Sequence, residues 1–198
     1  MLFRSGLKNG PFRIYDKLGK KKIIGQYNND KKDGEWNWFS DQKGLDSLIV
    51  YNNNQYNGEY NIWHANGNQA VKGDYNNGLK NGEWKWFNKK GQKDSIKIYD
   101  TGQLFGFVTI YYNGRQPREI MHYVNNKLHG KMTSFYRDGT TESEITFANG
   151  LRSGSYKYWD SEGNIEEKGA YLKDKLHGLV SRWYTIEQIG RASCRERV

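Results

Sequence analysis

Three kinds of side chain in this 198-residue chain could carry chemistry: a row of glutamates, four histidines and one cysteine. Glu35, Glu59 and Glu83 recur at one interval of 24 residues. Paired carboxylates run acid–base hydrolysis when they stand ~5–5.5 Å apart for retention or ~6.5–9.5 Å apart for inversion. Glutamates on successive stacked hairpins stand about 10 Å apart, at or beyond the upper edge of that range. Beside Trp36, Tyr60 and Trp84 they read as a solvated ladder that keeps a sheet face in water. Of the histidines (His64, His122, His129 and His177), His129 and His177 each precede a glycine where related positions hold Asn9, Asp33, Asn57, Asn81, Phe105 and Ser153. A position accepting Asn, Asp, Ser or His beside glycine reads as a turn, not as a metal or catalytic site. No serine lies in a nucleophile-elbow context, and no glycine loop is of the phosphate-binding kind. The expectation is a chain that is not an enzyme, with no catalytic residue, metal, cofactor or small-molecule substrate.

The elements behind these residues are repeats. Gly10, Gly34, Gly58, Gly82, Gly106, Gly130, Gly154 and Gly178 lie 24 residues apart without a slip, giving eight registered copies. With each leading glycine at place zero, place five is always aromatic: Tyr15, Phe39, Trp63, Phe87, Tyr111, Phe135, Trp159 and Trp183. Place seventeen holds Tyr27, Tyr51, Tyr75, Tyr99, Tyr123, Phe147 and Tyr171. Place two holds Phe12, Trp36, Tyr60, Trp84, Val108, Met132, Tyr156 and Val180, aromatic or apolar throughout. Of 30 aromatic residues, 24 fall on places two, four, five and seventeen, so the rings answer to the fold. The six others are Tyr56, Phe105, Phe107, Tyr112, Tyr136 and Tyr184, three of them at place six, where they could form an exposed row.

A second glycine follows in most copies about nine places on, and place twenty holds Asp30, Asn54, Gly78, Gly102, Asn126, Gly150 and Asp174. Those residue types tolerate the left-handed region that tight turns require. Each unit therefore has two turns and two runs of strand length, rich in aromatic and β-branched residues. The fold expected is all-β, a single-layer elongated hairpin solenoid of about eight repeats, some 75 Å long at ~4.8 Å per strand. A mean hydropathy of −1.00 and 35% hydrophobic residues leave no room for a large aliphatic core, so a thin aromatic layer shared between hairpins must serve. Its expected members are Trp36, Phe39, Tyr51, Trp63, Tyr75, Trp84, Phe87, Tyr99, Tyr111, Tyr123, Phe135, Phe147, Trp159 and Tyr171.

The run Gly82-Glu83-Trp84-Lys85-Trp86-Phe87 with Gly91 and Tyr99 to Gly102, and Lys127-Leu128-His129-Gly130-Lys131 with Phe135 and Gly139, resemble the MORN-repeat-variant family of bacterial proteins. The resemblance covers the chain to about Tyr184. It implies a right-handed, single-layer hairpin array that acts as an interaction module without catalytic residues of its own. Bacterial members with this spacing are often labelled antitoxin components of the YwqK kind; original MORN repeats accompany membrane-junction proteins, lipid kinases and methyltransferases.

Residues 1–185 are read as the array, beginning midway through a hairpin with Phe3 at place seventeen. Residues 186–198 are read as a non-native tail, whose last stretch resembles a translated sequencing adapter. That tail holds the only cysteine, Cys194, and three arginines against one glutamate from Gln188 on, so the rest carries +7 of the net +9. No signal peptide or membrane-spanning run is visible, and the compartment stays open. The basic residues Lys8, Lys32, Lys80 and Arg152, with Lys31, Lys127 and Lys175 one place earlier, gather where one copy joins the next. Stacking would align them into a cationic rail. Two readings stand: charge that keeps sheet edges apart, or a surface that docks an acidic protein or an anionic membrane. Nucleic-acid binding would need free rings, and the register has claimed most of them. The reading is a non-catalytic scaffold that binds another protein, with a peripheral membrane module as the alternative.

Overall fold

The computed structural model describes residues 2–4, 6–41 and 44–184. Each copy opens with a leading strand: Leu7–Tyr15, Lys31–Lys32 with Gly34–Ser40, Gln55–Trp63, Leu79–Phe87, Gln103–Tyr111, Lys127–Leu128 with Gly130–Phe135, Leu151–Trp159, and Lys175–Leu176 with Ser181–Arg182. A return strand follows in seven of them: Lys21–Asn28, Gly44–Asn52, Gln69–Asn76, Lys93–Asp100, Pro117–Val124, Thr141–Ala148 and Ile165–Leu172. Leu2–Arg4 pairs ahead of the first leading strand, and every pairing is antiparallel between chain neighbours. The product is one open, unclosed all-β sheet, the architecture expected from the repeat.

Turn chemistry sets its rhythm. In all seven turns that connect one copy to the next, two successive residues have positive φ, as at Asn53 (51°) and Asn54 (68°) or Asn77 (47°) and Gly78 (77°). Two left-handed residues in sequence match the right-handed twist of the flanking strands. The backbone N–H at place twenty then donates to a carbonyl 22 residues earlier in every case, from Asp30 to Lys8 through Asp174 to Arg152. Asp30, Asn54, Asn126 and Asp174 return the contact, their side chains accepting from the N–H of Lys8, Lys32, Leu104 and Arg152. Each connecting turn is thus bonded to the one before it.

The leading glycine has a different task from the turns. Ile49 opposes Tyr60 but Tyr51 opposes Tyr56, so the leading strand holds two residues more than its partner around Gly58. The same two-residue excess surrounds Gly82, Gly106 and Gly154. A positive φ bends the strand there, 111° at Gly58 and 118° at Gly154. The residue before that glycine was expected in a turn; it lies instead in this bulge, where the N–H groups of His129 and His177 donate to the carbonyls of His122 and Ala170.

Alternation sends places two, four, fifteen and seventeen to one face. Trp36, Trp84 and Tyr156 are the most completely buried large side chains, each at most 2% exposed, with Ile49, Tyr51, Val108 and Met121 beside them. The remaining expected core rings, from Phe39 to Tyr171, are half-buried. Ring contacts run unbroken from Phe12 through Trp36, Tyr51, Tyr56, Tyr60, Tyr75 and Trp84 to Tyr99, with centroids about 5 to 6.4 Å apart. Two glycines at place fifteen, which neither turn explains, make this possible, and a third, Gly169, lies under the Tyr156 ring further along. Phe12 pairs across to Gly25, and the Trp36 ring lies on the same glycine, so rings from successive leading strands meet at 5.4 Å over the strand between. Gly73 serves Tyr60 and Trp84 in the same way.

A Cβ on Gly73 would stand 2.3 Å from the Trp84 ring. Gly73→Ala should therefore cost about 1–3 kcal/mol or more by overpacking. Gly82→Ala meets nothing within 4 Å and bears only its φ of 71°, for about 1–2 kcal/mol. Urea unfolding of both variants, with near-ultraviolet dichroism of the tryptophans, should find the ring signal altered in Gly73→Ala and preserved in Gly82→Ala.

Candidate interaction surface

The six basic residues expected along one edge divide between two environments. Lys8, Lys32, Lys80 and Arg152 are half-buried, because place twenty-two points onto the ring face. The Lys80 ammonium lies 4.4 Å from the Trp84 centroid, 5.1 Å from Tyr99 and 5.2 Å from Trp86. Lys32 sits in the same manner over Trp36, Trp38 and Tyr51 at 4.7 to 4.9 Å, and Lys8 lies over Tyr27. The Arg152 guanidinium is 4.3 Å from the Tyr171 centroid and 3.0 Å from the Asp174 carboxylate. Burial holds the Lys32 and Lys80 ammonium groups below the usual lysine range, with Lys97 adding to the effect at Lys80. Lys127 and Lys175, with Lys31 at the same place, are exposed and face solvent from the turns. Leu7, Leu79 and Leu151 occupy that place in other copies and are 40%, 49% and 44% exposed. The edge is therefore a mixed line of cations and leucines.

The residues with chemical potential are engaged locally. Glu59 accepts from Asn61 at 2.6 Å and lies 3.8 Å from Lys72; Glu83 pairs with Lys85 at 2.7 Å. Glu35 accepts from Asn37. His64 contributes Nε2 to a 2.8 Å hydrogen bond with the Phe87 carbonyl, and His122 contributes Nδ1 to one with the His129 carbonyl at 2.9 Å. Among the described residues no group of three His, Cys, Asp or Glu side chains is gathered as a metal site would need. No helix of the described residues is long and apolar enough to cross a membrane. Cys194 and the adapter-like stretch lie outside the described residues.

Place six corrects one reading. Tyr112 and Tyr136 do not form an exposed row: their hydroxyls donate to the carbonyls of Phe135 and Trp159 in the following copy, at 2.8 and 2.7 Å. His64 makes the same reach. Where place six is Asp16, Asn88 or Asp160, the side chain instead accepts from two N–H groups of its own turn. Those N–H donors hold the Asp16 carboxyl below its ordinary range, as Asn164 does for Asp160. On this mid-turn edge a groove opens between the fourth and fifth copies, lined by Phe87, Gln92, Lys93, Asn113 and Arg115. Gly114 closes its floor: a Cβ there would stand 2.8 Å from the Lys93 backbone nitrogen.

Two measurements follow from this face. Lys80→Ala loses the ammonium and its covering stem, an expected cost of about 1–2 kcal/mol in urea unfolding; Lys80→Met keeps the stem and should recover about half. Burial raises the phenols of Tyr51, Tyr60, Tyr75, Tyr99, Tyr123 and Tyr158, and burial with a hydrogen bond to Glu167 pushes Tyr156 up to about 12. The folded state favours the neutral phenol, so this stabilisation is whole below the unfolded value of ~10 and is lost as pH rises through the folded values. Lys32 and Lys80 act the other way but are outnumbered. Alkaline titration should show cooperative unfolding above pH ~10 with tyrosinate absorbance rising in the same step, and Tyr75→Phe should shift that step upward.

The sequence model of the family described as MORN repeat variant matches residues 128–149. That segment is one hairpin, from the sixth leading strand to the turn at Asn149, and its geometry recurs in the other copies. No curated protein matches the chain. The array is similar to a MORN repeat scaffold in its hairpin unit and its open sheet.

Proposed function

We propose that this chain is a non-catalytic repeat scaffold that binds another protein along its connecting-turn edge. The carrying observation is that edge's composition: Lys31, Lys127 and Lys175 exposed at one repeat place, with Leu7, Leu79 and Leu151 exposed at the same place in other copies. Successive turns are bonded to each other, so this line is held at the spacing of the hairpins and meets a partner without being ordered first. Its cations suit an acidic protein surface. The role of antitoxin toward a toxin protein belongs to the resemblance and is one form of this reading.

The exposed leucines beside Lys8, Lys80 and Arg152 favour one second reading, a peripheral module on an anionic membrane. Co-sedimentation with vesicles of phosphatidylserine and phosphatidylcholine separates the two. On the protein reading the chain stays in the supernatant at physiological salt, and a partner recovered by proximity cross-linking binds the purified chain directly. Lys31→Glu with Lys127→Glu and Lys175→Glu then weakens that binding at least tenfold. Vesicle binding that those substitutions and Leu79→Ser abolish would replace the protein reading with the membrane one.

A further inference from the structure

The sheet has a second face, opposite the rings, and its side chains are arranged symmetrically about the fifth leading strand, Gln103–Tyr111. Register places Glu83 opposite Ile98, Phe107 opposite His122, and Lys131 opposite Thr146, so one row across the array reads Glu83, Ile98, Phe107, His122, Lys131. The adjacent row reads Lys72, Lys85, Ile96, Thr109, Ile120, Thr133, Glu144. The first row has Phe107 at its centre between Ile98 and His122, the second has Ile96 and Ile120 either side of Thr109, and the charges lie toward the flanks. The charges are of opposite sign at equal distance from the centre: Glu83 mirrors Lys131, and Lys72 mirrors Glu144. Nothing in either row mirrors a like charge, since Lys85 falls against Thr133.

Place one carries glutamate in the three copies before Phe107 and Lys131 and Ser155 in the two after it, so Phe107 interrupts a polar run. Phe107 is 57% exposed and Phe105, across the bulge glycine, 47%. Lys131, Glu83 and Lys72 side chains are half or more exposed, free to meet a second surface as well as their own neighbours.

We infer that this face binds a second copy of the same chain, two-fold about an axis running along strand Gln103–Tyr111. Such an operator turns the stacking order round and keeps the strand direction, so Phe107 meets Phe107, Ile96 meets Ile120, Glu83 meets Lys131 and Lys72 meets Glu144, each pair occurring twice. Two sheets meeting face to face lie within about 30° of alignment, ~10 Å apart, with facing side chains interleaved. The seven strands from Gln69–Asn76 to Thr141–Ala148 offer roughly 29 Å by 25 Å, on the order of 700 Å² per partner. That is close to the ~800 Å² per partner of a stable interface, with aromatic centre and charged rim in the usual arrangement. The assembly leaves both turn edges free, and it stands apart from the partner proposed above.

Sedimentation equilibrium of the full chain tests this. The wild type should show a concentration-dependent monomer–dimer equilibrium with no larger species. Phe107→Glu should weaken it about a hundredfold, and Glu83→Lys or Lys131→Glu alone by at least tenfold, each with an unchanged far-ultraviolet spectrum. The deciding measurement mixes the two single charge variants. A heterodimer of Glu83→Lys with Lys131→Glu restores both attractive contacts, and the mixture should regain wild-type association. Residues 83 and 131 lie four strands apart, about 19 Å, so no contact within one chain can produce that recovery. A monomeric wild type at every concentration, a dimer indifferent to Phe107→Glu, or a mixture no tighter than its components would each overturn the assignment.

Discussion

A sheet without a second layer must bury its rings against its own neighbours, and the rest of this molecule follows from that constraint. Trp36 and Trp84 are almost fully buried although the described residues form no second layer over them. Three devices achieve this. Glycine at place fifteen lets a ring lie flat on the backbone of the intervening strand, and rings from successive leading strands close over it. The indole N–H groups of Trp36 and Trp84 are satisfied within the sheet, each by a return-strand carbonyl at 3.1 Å. Lysine stems at place twenty-two then roof the rings while their ammonium groups reach water. The cations that composition suggested as a docking surface are in large part a covering of the core.

This explains what could be foreseen from the residues and what could not. A positive φ demands particular residue types, so the turns at places nine and twenty were written in Gly, Asn and Asp. The aromatic places were legible because the period never slips. Gly25, Gly73 and Gly169 are not legible as packing positions, because glycine in a sequence signals a turn, whereas here it serves a close approach. Lys31 and Lys32 share charge and proximity, but neighbours on a strand point to opposite sides, and that alternation separates an exposed cation from a half-buried one. The engagement of Tyr112 and Tyr136 is not legible in the sequence because their acceptors belong to the next copy, a contact that no pattern within one repeat contains.

The copies are alike in backbone but not in filling. From the first to the fourth the core is a continuous series of rings, whereas Val108, Met121 and Met132 fill the fifth and sixth before Tyr156 and Tyr171 resume it. Dispersion and edge-to-face terms of the ring series give way there to softer thioether packing. In a linear array stability is close to a sum of neighbour terms, and those terms are of different kinds in the two stretches. The fifth copy is also where the opposite face turns apolar, so both sides of the sheet alter at the same strand.

The bonds from each connecting turn to its predecessor link only adjacent hairpins and run along the stacking direction, while the strands lie across it. Tension between the two ends of the array would load these linkages in series and open them as a zipper, rather than shear the whole sheet at once. One hairpin released would lengthen the molecule by about 70 Å, from ~80 Å of extended chain less the ~10 Å it occupied. An array linked this way would yield to force in equal increments, one hairpin at a time, while its remaining copies stay folded.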